Sequence, residues 1–128
     1  MDLLLDTNAL LWALSGDERL GEASDIVRDR RNRVFVSAVS GWEIAIKVAL
    51  GKLKVPPAVA SWLPTELASA QFNSLPISLI HALAVEALPN HHADPFDRLL
   101  IAQATCEAMT IITGDEQFEN YDVRLMRC

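Results

Sequence analysis

The alternation of short apolar segments with helical patterns is the feature that most constrains the fold of this chain. Apolar or β-branched runs typical of buried strands occur at 3–6, 34–36 and 110–113, and weaker strand signals at 74–77 and 123–127. Strands that alternate with helices predict an α/β fold with a mostly parallel sheet covered by helices on both faces. Ligands bind such folds at the carboxyl ends of the strands.

Helices are predicted by apolar residues at helical spacing together with capping residues. Asp94-Pro95 is a strong start signal, because aspartate caps a helix and proline suits its first position. Ser37 or Ser40 can cap the helix that ends at Gly51, and Ser40 with Glu43 matches a capping box. Prolines at 56, 57 and 64 predict a turn and a broken helix. The predicted helices cover 8–14, 20–29, 37–51, 78–88 and 94–109.

The length and composition limit the classes of protein to which this chain can belong. The 128 residues fit one compact domain, 1–128, and the 51% hydrophobic content supports a dense core. No apolar run is long enough to span a bilayer, and the first residues lack the basic region and cleavage site of a signal peptide. Cys106 and Cys128 are too few for a disulfide framework, so we expect free thiols in a reducing cytoplasm.

The net charge of −6 argues against nucleic-acid binding through bulk positive charge. It is compatible with binding phosphate through metal ions, because clustered carboxylates need a cation in any case. The basic run at 28–33 is more typical of a solvated helix end, where cations complement the helix dipole, than of a dedicated RNA contact.

Four acids fall where the predicted fold builds sites. Asp6 ends the first strand, and Asp115 follows the strand at 110–113 after one glycine. Glu43 and Asp97 are predicted in the first turns of helices, and a helix start faces the same edge of the sheet and carries positive dipole. Each of four separate segments is therefore expected to place a carboxylate at the same edge of the sheet.

Each acid also has a structural interpretation. Asp97 lies above the apolar helical face of Leu100 and Ile101, where a carboxylate is costly unless it is paired or coordinated. Glu43 is explained equally well by a capping box plus a pair with Lys47. Asp94 fits a helix cap first and a ligand second.

The chemistry that suits such a set is metal-assisted phosphodiester hydrolysis. Mg²⁺ or Mn²⁺ prefers oxygen ligands and is held by a few carboxylates plus substrate phosphate. The ion activates a bound water and neutralises the leaving oxygen, so no serine, cysteine or histidine nucleophile is required.

Four blocks occur in register along the chain: LLLDTNALLWAL, SAVSGWEIAIKVALGKL, DPFDRLLIAQA and TGDEQF followed by Tyr121. Together they resemble the PIN-domain ribonucleases, specifically the VapC-like toxins of prokaryotic toxin–antitoxin pairs. The resemblance implies a flavodoxin-like, three-layer α/β/α sandwich with a mostly parallel central sheet. It also implies Mg²⁺- or Mn²⁺-dependent endoribonuclease activity in the cytoplasm, a cognate antitoxin whose tail blocks the site, and a homodimer.

The resemblance also assigns roles to residues, while leaving the RNA target open among tRNA, rRNA and mRNA. The metal-holding and catalytic acids would be Asp6, Glu43, Asp97 and Asp115. The supporting polar groups would be Thr7, Asn8 and Thr113, for which turn and cap roles weigh equally, with Asp94 at the edge of the set.

Several residues have simpler interpretations than a catalytic one. The adjacent histidines His91 and His92 are expected to be exposed loop residues, with no further ligand at zinc spacing. His81 is expected to be partly exposed, and Arg98 to pair with an acid at the helix start. Trp12, Trp42 and Trp62 could stack on RNA bases, but their apolar surroundings favour core or dimer contacts.

Two other functions stay open. A phosphatase with an aspartyl nucleophile would want a second acid two residues after Asp6, where this chain has Asn8. A catalytically inert PIN-like binding module is disfavoured because all four acids are present.

Overall fold

The computed structural model describes residues 1–128 and contains one five-stranded sheet. All strand pairs are parallel, and the strand order is β3-β2-β1-β4-β5. The α/β fold with a parallel central sheet is therefore confirmed. The strands are β1 Asp2–Leu5, β2 Arg33–Ser37, β3 Asn73–Leu75, β4 Thr110–Thr113 and β5 Leu125–Arg127.

Six α-helices and three short 3₁₀ helices connect the strands. The α-helices are α1 Thr7–Ser15, α2 Ala23–Arg28, α3 Ala38–Ala49, α4 Val59–Ala70, α5 Leu79–Ala84 and α6 Pro95–Glu107. The 3₁₀ helices are Glu18–Leu20, Val85–Ala87 and Glu116–Asn120. None of these helices combines the length and the apolar character that a membrane crossing requires. Both cysteines are free thiols, as predicted.

The central strand β1 divides the core into two layers. Its side chains alternate between the faces of the sheet, as strand geometry requires. Leu3 and Leu5 pack in a cluster with residues of α1, α2 and α3, whereas Leu4 packs in a second cluster dominated by α6. All three leucines are fully buried, so both faces of the sheet are covered by helices.

The strand order has a switch point between β1 and β4. From β1 the chain proceeds to β2 and β3 on one side, and then returns to place β4 and β5 on the other. Leu5 stands in register with Val36 of β2 and Ile112 of β4, so these three strands end at one edge. A crevice forms outside the carboxyl ends of strands at such a point, and it is the usual ligand site.

Three predicted helices differ from the observed ones. The helix predicted for 78–88 is α-helical over Leu79–Ala84 and continues as the 3₁₀ helix Val85–Ala87. The helix predicted for 20–29 begins only at Ala23, because Gly21 adopts a positive φ of 59° that interrupts it after a 3₁₀ turn. The broken helix predicted around the prolines is wrong, since α4 continues through Pro64. Pro64 is exposed and forfeits one helical hydrogen bond, while the neighbouring Leu63 is buried and holds the helix against the core.

Candidate active site

Asp6 lies at the junction of β1 and α1, directly at the switch point. It caps α1 by accepting a hydrogen bond from the backbone N–H of Ala9 at 2.8 Å, and the hydroxyl of Thr113 donates to its other carboxylate oxygen. Asp6 is only 5% exposed. Burial raises the pKa of this carboxyl, and the two hydrogen bonds offset part of that rise.

Thr113 ends β4 and links Asp6 to Asp115. Its fully buried hydroxyl accepts the backbone N–H of Asp115 at 3.0 Å while donating to Asp6. Asp115 itself is exposed and caps the 3₁₀ helix 116–120 through the N–H of Gln117. The two strand-end acids therefore share one threonine.

Glu43 lies in the second turn of α3, not in the first turn as predicted. The cap of α3 is Ser37, whose hydroxyl accepts the N–H of Val39, so the predicted capping box from Ser40 is wrong. Glu43 is 7% exposed, and the predicted pair with Lys47 is confirmed at 2.6 Å between Nζ and Oε2.

Thr7 holds the other oxygen of Glu43. Its buried hydroxyl donates to Glu43 Oε1 at 2.7 Å and lies 3.1 Å from the hydroxyl of the buried Ser40. The neighbouring Asn8 is exposed, and its side chain makes no hydrogen bond to the acids. Of these two adjacent residues, only Thr7 joins the carboxylates.

Asp97 lies in the first turn of α6, as predicted. Asp94 caps the helix by accepting the N–H groups of Phe96 and Asp97 at 2.9 and 3.1 Å, which confirms its role as a cap. Burial is the main cause that raises the pKa of Asp97 to about 8. The negative charges of four other acids add to the shift: Asp94, Asp6, Asp115 and Glu43.

The charges that act on Asp97 come from acids on several segments. Asp6, Glu43 and Asp115 lie on three other segments, and Asp94 lies at the start of the same helix. Lys47 lies near these acids too, since its bond to Glu43 and the charges of Asp94 and Asp97 raise its pKa. The four acids that the sequence singled out are therefore neighbours, with one lysine near them.

Three residues that the sequence analysis had set aside or missed also belong to this site: His92, Tyr121 and Arg98. His92 is not an exposed loop residue: 10% of its side chain is exposed, and its Nε2 lies 3.3 Å from Asp97 Oδ2. The hydroxyl of Tyr121 lies 2.7 Å from His92 Nδ1. Arg98 pairs with no acid and donates instead to Tyr121 and to backbone carbonyls. For these three residues, the only local signal in the sequence is the position of His92 just before the Asp94 cap.

The donor types fit a hard divalent cation, since the charged groups nearest Asp97 include four other carboxylates, whose negative charges raise its pKa. No three His, Cys, Asp or Glu side chains stand close enough together here to share one ion. Glu43 is held by Lys47, Asp115 by its cap and Asp97 by His92. Shared coordination would therefore require these side chains to turn inward from their present partners.

Comparison with known proteins decides the family. The model of the PIN domain family matches residues 3–124. This chain belongs to the PIN domain family. The match begins within β1 and ends after Tyr121, so all four carboxylate-bearing segments of this PIN domain lie inside it.

Two curated relatives, both from Mycobacterium tuberculosis, are similar to this PIN domain. Ribonuclease VapC22 is 25% identical over 120 residues, which cover 93% of this chain and 91% of VapC22. Ribonuclease VapC16 is 40% identical over 65 residues, but the aligned part spans only 51% of this chain and 45% of VapC16.

Solved structures share the fold of this PIN domain over nearly its whole length. A chain in the crystal structure of VapBC2 from Rickettsia felis bound to a promoter DNA fragment superposes with a TM-score of 0.75 at 17% identity, covering 99% of this chain and 98% of that one. A chain of FitAcB from Neisseria gonorrhoeae gives 0.67 at 23% identity, covering 97% and 96%. At these identities the likeness establishes the fold alone.

Proposed function

We propose that this PIN domain is a metal-dependent endoribonuclease and the toxin of a toxin–antitoxin pair. The observation that carries the proposal is the meeting of Asp6 and Asp115 at the switch point, where both carboxyl-bearing segments bond to Thr113, with Glu43, Asp94 and Asp97 nearby. A cluster of carboxylates that repel one another in a partly buried place is costly, and a bound cation compensates that cost. Both curated relatives are named ribonucleases, which supports RNA as the substrate.

In the proposed site Mg²⁺ or Mn²⁺ is held by Asp6, Glu43, Asp97 and Asp115. When bound, the ion supplies an activated water and stabilises the charge that develops on the phosphate and the leaving oxygen. The chain itself holds and orients the carboxylates: Thr113 fixes Asp6, and Thr7 fixes Glu43. Both donors are buried hydroxyls, so little water competes for the hydrogen bonds that fix these orientations.

Lys47 has a place in this proposal as the cation that competes with the metal. Its ammonium group binds Glu43 at 2.6 Å, and 45% of its side chain is exposed. If Glu43 held a divalent ion, this flexible lysine would be free to meet a substrate phosphate, since lysine binds phosphate as a point charge.

The proposed partners follow from the names of the relatives and from the chemistry of RNA cleavage. One structural neighbour is a toxin–antitoxin complex from Klebsiella pneumoniae, so we propose a cognate antitoxin that covers the acids of this chain. A homodimer and a cytoplasmic location, where RNA is the target, complete the proposal.

The alternative functions fit the site less well. A phosphatase with an aspartyl nucleophile would need an acid two residues after Asp6, where this chain has the exposed Asn8. An inert binding module is disfavoured because all four acids that a metal-dependent nuclease would use are present.

The first test is dependence on metal. Purified protein incubated with total RNA is expected to cleave it with Mg²⁺ or Mn²⁺, to stop in excess EDTA, and to resume when the ion is added back. Gel electrophoresis or 5′-end counting measures the cleavage. The Asp25→Asn variant, which removes an exposed acid outside the cluster, is the matched control and should behave like the unmodified protein. Cleavage that persists in excess EDTA would exclude the proposed chemistry.

A further inference from the structure

We propose that Trp42 is a substrate-binding residue: an indole on which an unpaired base of the RNA stacks, beside the acids. This inference rests on the proposed function, because it assigns a contact to the RNA substrate of the same site. It is carried by an exposed aromatic ring that stands on the helix of Glu43 and is held against the helix of Asp97.

Trp42 differs from the other two tryptophans in its exposure. Trp12 and Trp62 are partly buried against the core cluster that contains Leu3 and Leu5, which agrees with the core contacts expected for them. Trp42 is 56% exposed and packs in neither core cluster. The core contact expected for this ring is therefore wrong, and a large apolar surface is left for a ligand.

The Trp42 ring is oriented by one aromatic contact. Its centroid lies 5.2 Å from that of Phe96, with 75° between the ring planes, an edge-to-face arrangement that aromatic pairs favour. Phe96 is partly buried and packs against the core cluster on the α6 side of the sheet. An edge-to-face contact covers at most one face of the indole, and no other ring or cation lies on it. The other face is open for stacking.

Each ring of this pair adjoins an acid of the site. Trp42 directly precedes Glu43 in α3, and Phe96 directly precedes Asp97 in α6. Neighbouring Cα atoms are about 3.8 Å apart, so the contact between the rings joins the two helices where they carry these acids. The exposed Leu50, by contrast, stands at the far end of α3, about 12 Å along the axis from Trp42. On α3, Trp42 is thus the large exposed apolar side chain that borders the proposed site.

Charge alone explains little of how this site would hold RNA. The net charge is −6, and two cations at this edge, Lys47 and Arg127, are each paired with a glutamate at 2.6 Å. The basic run 28–33 leads into β2 and so lies at the amino edge of the sheet, opposite the acids. Proteins that bind single-stranded nucleic acid also stack bases on aromatic side chains, which needs no positive charge. A nucleotide stacked on Trp42 would bring its phosphates toward the acids, which favours a base as the occupant.

A stacked base has a measurable effect on RNA affinity. Removing an aromatic platform weakens the binding of single strands about 5- to 150-fold for each base that stacks on it. Stacking depends on the base and not on the phosphate, so the loss should vanish when the strand carries no bases. A protein contact at Trp42 would show no such dependence.

Binding is tested by fluorescence anisotropy in EDTA, where the proposed activity cannot cleave the probe. The probes are a labelled single-stranded RNA of about 12 nucleotides and an abasic oligomer of the same length and charge. We expect Trp42→Ala to bind the base-containing probe about 5- to 150-fold more weakly than the unmodified protein, and both proteins to bind the abasic probe equally. Trp42→Phe keeps an aromatic face and should recover most of the loss.

The matched control is Leu50→Ala, which removes an apolar side chain that is 62% exposed at the end of the same helix. It should bind both probes like the unmodified protein. Thermal unfolding verifies that each variant is folded, and gel filtration reports its oligomeric state. In cleavage assays with Mn²⁺, Trp42→Ala should raise KM by a similar factor and leave kcat nearly unchanged, since a stacked base is held alike before and during the reaction.

The outcomes separate this inference from the proposed function. Equal affinity of Trp42→Ala and the unmodified protein for the base-containing probe, with equal KM, overturns the inference even if the protein cleaves RNA. Equal losses on both probes overturn it too, as does a variant that only loses a dimer contact, which would show that a second copy covers the ring. If the protein binds RNA through Trp42 but no metal supports cleavage, the inference stands and the proposed function fails. A protein that neither binds nor cleaves RNA refutes both.

Discussion

Asp97→Asn is expected to abolish RNA cleavage and at the same time to stabilise the metal-free protein. The first effect follows from removing a proposed metal-holding carboxylate, for which we expect a loss of at least about 100-fold. The second follows from the pKa of about 8 that burial and neighbouring negative charge give this carboxyl. A merely structural acid would lose stability on this substitution, so the two effects together are diagnostic.

The sign of the stability effect depends on pH. The pKa of Asp97 is raised from 3.8 to about 8, so between these values the folded protein retains a proton that the unfolded chain has released. The folded state then binds more protons, and the free energy of unfolding falls as pH rises from about 4 to about 8. Asparagine does not ionise, so the free energy of unfolding of the Asp97→Asn protein does not fall for this reason as pH rises.

Chemical denaturation in EDTA measures the effect at pH 8 and again near pH 4. The variant should be more stable than the unmodified protein by about 1–2 kcal/mol at pH 8. This free energy is smaller than the full pKa shift of Asp97 would give, because solvent reaches and screens part of the carboxylate. The advantage should disappear near pH 4. Asp25→Asn should show no such pH-dependent gain. A destabilised Asp97→Asn protein at pH 8, or one that retains cleavage, would contradict the account.

Mn²⁺ is expected to raise the unfolding temperature by about 10 °C when its concentration exceeds the dissociation constant 100-fold. An ion that binds only the native state at that excess adds about 2.7 kcal/mol to the free energy of unfolding, and for a domain of this size each kcal/mol shifts the transition by several degrees. The gain arises because the ion offsets the repulsion among the acids around Asp97.

Differential scanning calorimetry at pH 7 measures this shift with and without EDTA. Asp6→Asn and Glu43→Gln should each lose most of the Mn²⁺-dependent shift, whereas Asp25→Asn should keep it. An unmodified protein that shows no shift in millimolar Mn²⁺ would refute a metal site built by this chain alone.

The sequence predicted the parts of the site that local patterns determine. Asp6 and Asp115 follow buried strands, and the carboxyl ends of parallel strands meet at one edge. Asp97 follows an Asp-Pro helix start, which places it in a helix, and it lies over an apolar stripe, which places it on the side of that helix that faces the core. These are short-range signals, so they survive in a single sequence.

Where two local signals compete, the sequence left the choice open or favoured the wrong one. Ser37 and Ser40 were both candidate caps of α3. Ser37 is the cap and Ser40 lies inside the helix, a difference that moves Glu43 by almost one turn. Pro64 predicts a break, but the burial of Leu63 outweighs the loss of one helical hydrogen bond. Tertiary packing decides such cases, and it is not encoded in any short window.

The support of Asp97 could not be predicted, because it joins distant parts of the chain. His92 and Tyr121 are separated by 29 positions, and Arg98 and Tyr121 by 23. An adjacent pair of histidines in a loop favours exposure unless a tyrosine far along the chain covers one of them. His81 shows the same limit: it is 4% exposed because Gln103 and Glu107 of α6 bind its ring.

Transcriptome-wide mapping of RNA 5′ ends after induction of the protein in cells, with Asp6→Asn induced in parallel, tests the proposed endoribonuclease activity directly. We expect new 5′ ends within minutes for the unmodified protein and none for Asp6→Asn, although both accumulate as folded protein. The same new ends in both samples, or none in either, would contradict the claim that these carboxylates form the site of an endoribonuclease.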